Sequence, residues 1–537
     1  MAPSACSRAE RCKLQDNLGL AMHPYQHALA HPGRPALVIA DTGEQLSYRE
    51  LDEGSNRAAQ LFRQLGLRPG ESIGLMLRNS LEYPVLYWGA QRAGLLVAIL
   101  SSHLKATEAA CILNDCAARL LIASTEVGST PAELVIRRSE LIPRVEAVFC
   151  IGEKPWAGAP QLHGALAAMP ATPIADQVSG HYLLYSSGTT GRPKGILRPF
   201  KPGPIEEVAP FEGTRMLEGI DPLVTFNAGP LHHSAPLAGM LATQRLGGTA
   251  VTLRKFDALQ TLKAIQDRRV VHAQFVPTMF VRMLAIPEDQ RRTYDLSSLK
   301  YVLHAAAPCP VEIKRRMMNW LGPIIHEYYS GSEAFGSTYI SPEEWLRKPG
   351  SVGRSRAGAI HICSDAGEEL PSGAEGLIYF ETPADLRSQY LNDPQTMAKA
   401  RHPSHPDWYS LGDIGRVDED GYLFLTDRKD FMIISGGVNI YPQAVEDALI
   451  LHPRVLDAAV IGVPNPEFGE EVKAIVQPKD WHEAGDELAA ELIGWCRSKI
   501  SAVSCPRSVE FVRSLPRLAS GKLPKHELRR LYGAPRS

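Results

Sequence analysis

Apolar residues recur at two different spacings along the first part of the chain. In LSYRELDEGSNRAAQLFRQLGLRPG (46–70) they lie three and four positions apart, and the segment ends at Pro and Gly, which predicts an amphipathic helix. SIGLMLRNS (72–80) and LLVAIL (95–100) are short apolar runs that predict strands, with the helical LEYPVLYWGAQRAG between them. The alternation returns through residues 220–310. It predicts an α/β fold in which helices cover largely parallel strands.

The pattern changes near residue 430. Compact α+β elements follow, such as AAVIGVPNPEFGEEVKAIVQP and the helical EAGDELAAELIGWCRSKI. We therefore place a domain boundary at DRKD (427–430). Residues 1–429 are predicted to form a large N-terminal domain of layered α/β subdomains, and residues 430–537 a small α+β C-terminal domain.

Composition narrows the classes of partner without naming a function. The 537 residues are enough for several domains, and 44% hydrophobic with 22% charged residues is ordinary for a globular protein. A net charge of −2 gives no electrostatic reason to expect nucleic acid or an anionic membrane as a partner. The N-terminus lacks an apolar signal core, and AGLLVAIL (93–100) is too short to span a bilayer.

Cysteine usage bears on the compartment. The nine cysteines are scattered and include no CxxC pair, which suits free thiols in a reducing environment. We expect a cytoplasmic protein without a transmembrane segment. Whether it forms a homodimer is left open.

One loop combines glycines, hydroxyl groups and a lysine. It reads YSSGTTGRPKGI (185–196) and follows an apolar run. Glycines allow sharp turns with exposed N–H groups, and hydroxyls and lysine add donors and charge, so the loop is suited to a polyphosphate. It is not the Walker P-loop, because Pro193 precedes the lysine and Gly195 follows it. A flexible linker is the alternative, although a linker needs no proline and lysine beside its glycines. The candidate binding residues are Ser186, Ser187, Gly188, Thr189, Thr190, Gly191 and Lys194.

Five further segments follow this loop along the chain. They read PLHHSA (230–235), YYSGSE (328–333), YSLGD (409–413), DRKDFMIISGGVNIYP (427–442) and LPRLASGKLPKHELR (515–529). In this order and at these distances they resemble the core motifs of the AMP-forming acyl-CoA synthetases. These enzymes belong to the adenylate-forming superfamily, which also holds luciferases and peptide-synthetase adenylation domains. The resemblance covers residues 25–531. It implies that a carboxylic acid and ATP form acyl-AMP and pyrophosphate, and that coenzyme A then takes the acyl group and releases AMP.

The resemblance implies where ATP binds. The 186–195 loop would hold the β- and γ-phosphates, and Glu333 would hold Mg²⁺, because a hard cation on phosphate oxygens needs an oxygen ligand from the protein. Adenine would pack on Tyr329, and Ser332 belongs to the same motif. The opposite wall would be the stretch HAAAPCP, through Ala306, Ala307 and Pro308.

The resemblance also implies how ribose is held. Asp413 would accept hydrogen bonds from both ribose hydroxyls, and Arg428 would reach the ribose and a phosphate. Two positions depart from the family pattern. Leu411 stands where Thr is usual, although this side chain is not the contacting group. Asp427 stands where Gly is usual, and we expect it to alter the local turn slightly.

Further residues are implied for the two transfer steps. Lys522, in ASGKLP, would lie between the substrate carboxylate and the α-phosphate in the first step. The C-terminal domain is expected to be mobile and to rotate about Asp430 before the second step. Gly436 and Gly437 of ISGGVN would then line the coenzyme A channel. A plain Gly-Gly hairpin turn is the alternative for these two glycines.

His233 lies in PLHHSA, where the family has an aromatic or histidine residue near the acyl group and the pantetheine channel. We expect it to gate the site or to orient the acyl group, and not to act as a general base. A structural histidine is the alternative. His232 is expected to fill the neighbouring position.

The acyl substrate is predicted only by class. The expected pocket segments, TFNAGPLHHSAPLAGML (225–241), HAAAPC and GSEAFGS, are rich in Gly, Ala and Leu, and Glu333 is their only carboxylate. A buried ammonium needs an acidic partner, so an amino-acid substrate is disfavoured. We expect an apolar acid with a long chain or a bulky ring system, such as a polycyclic or terpenoid acid, and aromatic acids stay open.

The resemblance implies coenzyme A as the acceptor, and the ISGGVN segment and the absence of a fused carrier domain favour it. Transfer to a separate carrier protein is one alternative. A nucleotide-binding pseudoenzyme is another, and the presence of Glu333, Asp413, Arg428 and Lys522 together disfavours it.

Overall fold

A computed structural model describes residues 22–186, 193–207, 217–517 and 523–533 of the chain. These residues form two compact units. The first comprises the described parts of Met1–Phe275, Ile286–Val302 and Ser388–Pro394, and the second comprises those of Val276–Ala285, Leu303–Arg387 and Gln395–Ser537.

The strands are numbered in chain order. They are β1 (Pro35–Ile39), β2 (Gln45–Ser47), β3 (Ser72–Met76), β4 (Leu96–Ile99), β5 (Leu120–Ser124), β6 (Ala147–Ile151), β7 (His181–Ser186), β8 (Lys194–Leu197), β9 (Val224–Asn227), β10 (Thr249–Thr252), β11 (His272–Phe275), β12 (Tyr301–His304), β13 (Ile325–Ser330), β14 (Ser337–Ile340), β15 (Ser351–Ser355), β16 (Ile360–Cys363), β17 (Gly376–Glu381), β18 (Gln389–Tyr390), β19 (Trp408–Tyr409), β20 (Asp413–Val417), β21 (Leu423–Arg428), β22 (Ile433–Ser435), β23 (Val438–Ile440), β24 (Val455–Asn465), β25 (Gly469–Pro478) and β26 (Ser508–Phe511).

The helices are numbered in the same way. They are α1 (Pro24–Ala30), α2 (Tyr48–Gln64), α3 (Glu82–Arg92), α4 (Ala106–Asp115), α5 (Thr130–Ile136), α6 (Arg138–Leu141), α7 (Leu162–Ala167), α8 (Ser234–Arg245), α9 (Ala258–Arg268), α10 (Pro277–Leu284), α11 (Glu288–Arg291), α12 (Val311–Leu321), α13 (Pro342–Arg347), α14 (Pro394–Ala400), α15 (Pro442–Ile450), α16 (Asp486–Arg497) and α17 (Lys525–Tyr532). Single 3-10 turns lie at Ala384–Leu386, Lys429–Phe431, Trp481–Glu483 and Ala502–Ser504.

The apolar runs of the first unit form the predicted parallel strands. One sheet has the order β18-β8-β7-β4-β3-β5-β6, in which β3 is parallel to β4 and β5, and β4 is parallel to β7. Along β5, Leu120 and Ile122 belong to one hydrophobic core, whereas Leu121 and Ala123 belong to another. Both faces of the strand are therefore buried, which explains its continuous apolar sequence. The prediction of α/β layers is confirmed.

A second set of parallel strands in the first unit has the order β11-β9-β10-β1, with β2 antiparallel at its end. The chain leaves β2 directly into α2. The start of this helix is fixed by a capping box, in which the Ser47 N–H donates to Glu50 Oε2 at 2.8 Å and the Glu50 N–H donates to Ser47 Oγ at 3.3 Å. Helix α8 follows β9 and starts just after PLHH, so the fold places that motif at a helix N-terminus.

The second unit contains a sheet of a different kind. Its strands have the order β16-β17-β20-β21-β15-β14-β13, and their pairs are antiparallel. In this sheet β13 carries Tyr329, β20 begins at Asp413 and β21 ends at Arg428. The parallel pattern predicted for residues 220–310 therefore does not extend into this part of the chain. Pairing of β15 with β21, which are distant in sequence, places Tyr329 of β13 in the same sheet as Asp413 and Arg428.

The C-terminal elements have their own sheet and hydrophobic core. Strands β23-β22-β25-β24 are antiparallel neighbours, and β26 runs parallel to β25. Helices α15 and α16 supply Val445, Leu449, Leu488 and Leu492 to this core. The α+β character predicted after residue 430 is confirmed. The division of the chain into residues 1–429 and 430–537 stays a prediction.

Gly353 in β15 allows a test of the packing between β14 and β15, which belong to the same sheet as Asp413 and Arg428. Its φ is +96°, and a Cβ at this position would lie 2.0 Å from the Tyr339 carbonyl oxygen of β14. We expect Gly353→Ala to lower the melting temperature of the protein strongly, because the residue then meets a backbone clash in addition to the roughly 1–2 kcal/mol cost of a left-handed conformation.

Gly373→Ala is the matched control for Gly353→Ala. Gly373 has a φ of +82°, and a Cβ there would meet no heavy atom within 4 Å. This variant therefore incurs the conformational cost alone, and its melting temperature should fall much less. Scanning fluorimetry of both proteins side by side measures the difference. Equal shifts would contradict the role of Gly353 in the β14–β15 contact.

Candidate active site

Three residues of the predicted nucleotide site lie together on the antiparallel sheet. Asp413 and Arg428 are opposite each other in the register of β20 and β21. Tyr329 Oη donates a hydrogen bond of 2.5 Å to Asp413 Oδ2. Arg428 Nε lies 3.5 Å from Asp413 Oδ1. The fold thus brings the ring of Tyr329, from a strand distant in sequence, to a carboxylate and a guanidinium on two consecutive strands.

The electrostatics of this cluster suit a ligand with hydroxyl groups and negative charge. Burial, and next the Asp413 carboxylate, raise the pKa of Tyr329 well above its usual value, so the phenol stays protonated and donates. The Asp413 side chain is 15% exposed and that of Arg428 is 41% exposed. Arg428 Nη2 donates to the Leu411 carbonyl at 2.6 Å, which orients the guanidinium. A held carboxylate can accept from a diol, and a half-exposed guanidinium can reach an anion.

Glu333 lies in a closely packed turn after β13. Its Oε2 atom is 2.8 Å from the place that a Cβ on Gly331 would occupy, and Leu411 Cδ2 is 2.4 Å from the same place. A side chain at Gly331 would therefore displace both. Leu411, which departs from the family pattern, packs with the core under this sheet. Ser332 lies in the same turn, between Gly331 and Glu333.

The expected second wall for adenine follows β12. Ala306 and Pro308 are exposed and Ala307 is half-buried. Ala306 has a φ of +75°, a left-handed conformation that is rare for a residue with a Cβ. Such a conformation persists where the surrounding structure holds it, and it is common at ligand sites.

A cavity of about 120 Å³ is lined in part by Ala307 and Pro308. Its other lining residues include the carboxylates Glu446, Asp447 and Asp457. Burial raises the pKa of Asp447 to about 7. Arg282 and Arg517 also line the cavity, so its lining carries charges of both signs. The side chains of Tyr329, Asp413 and Arg428 do not line it, so we do not assign this cavity as the active site.

The first unit holds the predicted phosphate loop. Ser186 pairs with Lys194 across the antiparallel strands β7 and β8, so the loop joins the two strands of a hairpin. Lys194 Nζ lies 5.8 Å from the centre of the Tyr390 ring. Tyr185 Oη donates to Asp115 Oδ2 at 2.8 Å, which anchors the start of the loop. Predicted ligands that lie outside the described residues are Ser187, Gly188, Thr189, Thr190 and Gly191, and of Ser186 only the backbone is described.

The two histidines of PLHHSA also lie in the first unit. His233 is the N-cap residue of α8, and its ring centre is 4.5 Å from that of His232. His232 is buried, and its Nε2 atom lies 3.3 Å from Ser101 Oγ. Burial, and then the neighbouring His233 and His103, lower the pKa of His232 well below its usual value. A neutral imidazole is therefore expected at His232 near pH 7.

Asn79 holds the segment that leads to these histidines, and the sequence analysis missed it. Its Oδ1 accepts from the Leu231 N–H at 2.7 Å, and its Nδ2 donates to the carbonyls of Leu253 at 2.8 Å and Gly229 at 3.3 Å. The three partners lie far away in sequence. An Asn after an apolar run gave no signal beyond the end of a strand.

Asp427 has a defined role that differs from the expected one. One carboxylate oxygen accepts from the Arg428 N–H at 2.7 Å and the other accepts from the Gln443 N–H at 2.9 Å. Gln443 lies in the first turn of α15, whose N–H groups lack partners within the helix. Asp427 therefore caps the first helix of the C-terminal elements, where a Gly could not.

The remaining predicted residues lie near the C-terminal sheet. Asp430 is exposed in the 3-10 turn Lys429–Phe431. Gly436 and Gly437 form the turn between β22 and β23 with φ values of +56° and +80°, which the hairpin alternative also expects. Lys522 lies outside the described residues.

The described residues contain no group of three or more His, Cys, Asp or Glu side chains that could hold a metal. Within the same part of the chain, each helix is too short or too polar to cross a bilayer.

Comparison with known proteins gives consistent matches. Residues 25–391 match the family model of the AMP-binding enzymes, and residues 444–522 match that of the AMP-binding enzyme C-terminal domain. Feruloyl-CoA synthase of an Amycolatopsis species is 33% identical over 96% of this chain and 100% of its own length. The long-chain-fatty-acid–CoA ligase FadD13 of Mycobacterium tuberculosis is 28% identical over 95% of this chain and 97% of its own.

A solved structure is similar over the same extent. The anthranilate CoA ligase AuaEII, in complex with anthranoyl-AMP, matches with a TM-score of 0.79 and 27% identity, and the match covers 96% of this chain and 98% of that one. The family-model match over most of the chain and the end-to-end relatives agree with the order of the motifs. The chain belongs to the AMP-binding enzyme family, and it is an acid–thiol ligase of the adenylate-forming, acyl-CoA synthetase type.

Proposed function

We propose that this enzyme joins an apolar carboxylic acid to coenzyme A in two steps. In the first, the acid carboxylate attacks the α-phosphorus of ATP and pyrophosphate leaves. In the second, the coenzyme A thiol loses its proton and attacks the acyl carbonyl, and AMP leaves. The observation that carries the proposal is the Tyr329–Asp413–Arg428 cluster, because it supplies a ring, a carboxylate and a guanidinium at one place.

Each member of this cluster has a distinct proposed role. Asp413 accepts hydrogen bonds from the ribose hydroxyls, and its bond from Tyr329 keeps its carboxylate in one orientation. Arg428 donates to the ribose and to the phosphate that becomes AMP. The ring of Tyr329 and the Ala306–Pro308 loop provide the two walls for adenine. These contacts place the α-phosphate, and positioning accounts for much of the acceleration in phosphoryl chemistry.

Glu333 is the proposed ligand of Mg²⁺. Magnesium at nucleotide sites is usually held by one or two carboxylates together with substrate phosphates, so a single carboxylate fits the ion. The turn holds this carboxylate beside Gly331, where it meets no Cβ. The bound ion would neutralise charge on the phosphates as pyrophosphate leaves. Lys194 and the loop of residues 186–191 are proposed to bind the same phosphates.

The acid is proposed to be apolar. Both feruloyl-CoA synthase and the fatty-acid ligase are named for acids with large apolar parts, one aromatic and one aliphatic. The expected pocket segment 225–241 contributes no carboxylate. In the same segment, Gly239 of α8 leaves room for the buried side chain of Asn227, because a Cβ on Gly239 would lie 2.6 Å from Asn227 Oδ1. His233 at the start of α8 is proposed to orient the acyl group.

A panel of acids tests the proposed function. Purified enzyme with MgATP should catalyse acid-dependent exchange of pyrophosphate into ATP with at least one long-chain, hydroxycinnamic, benzoic or polycyclic acid, and coenzyme A should convert the product to a thioester. Free amino acids should give no exchange. If no acid supports exchange, the pseudoenzyme alternative gains. Acyl-AMP that persists with coenzyme A and is discharged only by a carrier protein would contradict the proposed acceptor.

Lys522→Ala should impair the first step alone. A lysine between two anions lowers the barrier to their approach, and loss of one such contact costs on the order of 3–4 kcal/mol, or roughly 10²–10³ in rate. Adenylate formation is measured from acid and ATP, and thioester formation is measured from supplied acyl-AMP and coenzyme A. The control is Lys479→Ala, an exposed lysine of the same domain. Normal adenylate formation by Lys522→Ala would reject the assignment.

Asp430→Pro should spare the first step and impair the second. Asp430 is exposed and lies in a 3-10 turn, and proline fixes φ near −65°, which prevents the backbone rotation that domain movement needs. Asp430→Ala removes the same side chain without restricting φ and should retain both steps. The two half-reactions are assayed separately, as for Lys522. Equal loss of both steps in the proline variant would argue against a hinge at this residue.

A further inference from the structure

A buried cluster of charged and polar groups lies next to both proposed adenine walls. It consists of Lys314, Glu327 and His304, and we call it the Lys314 cluster. Lys314 Nζ donates to Glu327 Oε2 at 2.7 Å, and His304 Nε2 lies 3.3 Å from the same oxygen. No role was predicted for any of these three side chains from the sequence.

The Lys314 cluster is closed off from solvent. The side chains of Lys314 and His304 are fully buried, and that of Glu327 is 8% exposed. Lys314 Nζ lies 4.8 Å from the centre of the Trp345 ring, and the His304 ring packs edge-on against Phe280 at 5.3 Å. Aromatic walls exclude water, so the charges of Lys314 and Glu327 must compensate each other.

The protonation states agree with one ion pair and a neutral histidine. Burial would raise the pKa of Glu327, but the attraction of the Lys314 ammonium outweighs burial and keeps this pKa below its usual value. Burial is also the main reason that the pKa of His304 is lowered, so its ring is neutral at pH 7. Glu327 is therefore ionised, and its contact with the Lys314 ammonium is the short, charge-assisted one.

Stability alone does not account for this cluster. Replacing a buried ion pair by apolar residues of similar volume is often neutral or stabilising, because desolvation offsets the attraction. An ion pair adds a constraint on geometry, since its hydrogen-bonded atoms must meet within narrow ranges of angle and distance. An apolar core would permit small shifts that the ion pair resists.

The positions of the three residues connect the two segments that form the proposed adenine walls. Glu327 lies two residues before Tyr329 in β13, so the two side chains leave the same face of the strand. His304 ends β12 and lies two residues before Ala306, whose left-handed conformation must be held by its surroundings. Lys314, from α12, meets the Glu327 oxygen that also faces His304.

We propose that Lys314, Glu327 and His304 are positioning residues that set the spacing between the Ala306–Pro308 loop and Tyr329, and hence the fit of adenine between them. The proposal rests on the proposed function, in which these segments are the adenine walls. None of the three residues touches the nucleotide. They act through the two segments that do.

The test separates position from stability with a paired substitution. Lys314→Met combined with Glu327→Leu removes both charges and keeps similar volume, so the melting temperature should stay close to that of the wild type. The Kd for AMP, measured by calorimetry, should rise about tenfold, as expected for the loss of roughly one well-made contact. Ribose 5-phosphate lacks adenine, so its Kd, measured directly in the same way, should differ much less between the wild type and the variant than the Kd for AMP does.

Two readouts distinguish the possible failures. If wild-type enzyme does not bind AMP, the proposed function itself fails. If the wild type binds AMP and the folded double variant binds it with the same Kd, the Lys314 cluster has no positioning role. Equal weakening of AMP and ribose 5-phosphate would also overturn the proposal, because it would indicate general loosening of the site.

A second variant covers the case in which the paired substitution does not fold. His304→Phe leaves the Lys314–Glu327 ion pair in place and removes only the third member. It should raise the Kd for AMP about threefold, which corresponds to part of the free energy that one hydrogen bond contributes. The KM for ATP should rise in parallel, and the KM for the acid and for coenzyme A should stay unchanged. An unaltered Kd for AMP in this variant would refute the role of His304.

Discussion

The register between β20 and β21 is the constraint on which the proposed nucleotide site depends. It sets Asp413 opposite Arg428, and the hydrogen bond from Tyr329 ties a third strand to the same point. A slip of one strand by one residue in this pairing would leave Asp413 and Arg428 on opposite faces of the sheet. The glycine at position 353 permits the close approach of β14 to β15, which lies beside β21. The chemistry therefore rests on backbone packing at a distance from any ligand.

Much of the fold could be predicted from the sequence, because its strongest signals are local. A capping box at Ser47 and apolar spacing fix α2, and burial on both faces makes β5 a continuous apolar run. The antiparallel sheet of the second unit was not predicted. The sheet is held together by pairs of strands distant in sequence, β15 with β21 and β17 with β20, and such pairing leaves no local period to detect.

The candidate site divides along the same line. The resemblance of the motifs to those of the acyl-CoA synthetases was enough to propose Tyr329, Asp413 and Arg428 as one site, and the structure groups them. It was not enough to find Asn79 or the Lys314 cluster, because their partners are set by tertiary contacts between separate elements. Asp427 is an intermediate case. Its departure from the family pattern was visible, but its bond to Gln443 depends on where α15 begins.

The cap that Asp427 places on α15 has a consequence for how the enzyme changes state. If the C-terminal domain turns about Asp430, as proposed, Gln443 moves while Asp427 stays beside Arg428. The hydrogen bond from the Gln443 N–H to Asp427 must then break. A helix cap contributes about 0.5–2 kcal/mol. A free-energy difference of that size shifts a two-state population by roughly two- to thirtyfold. Asp427, next to the proposed ribose contact Arg428, would thus stabilise the orientation in which its hydrogen bond to Gln443 is intact.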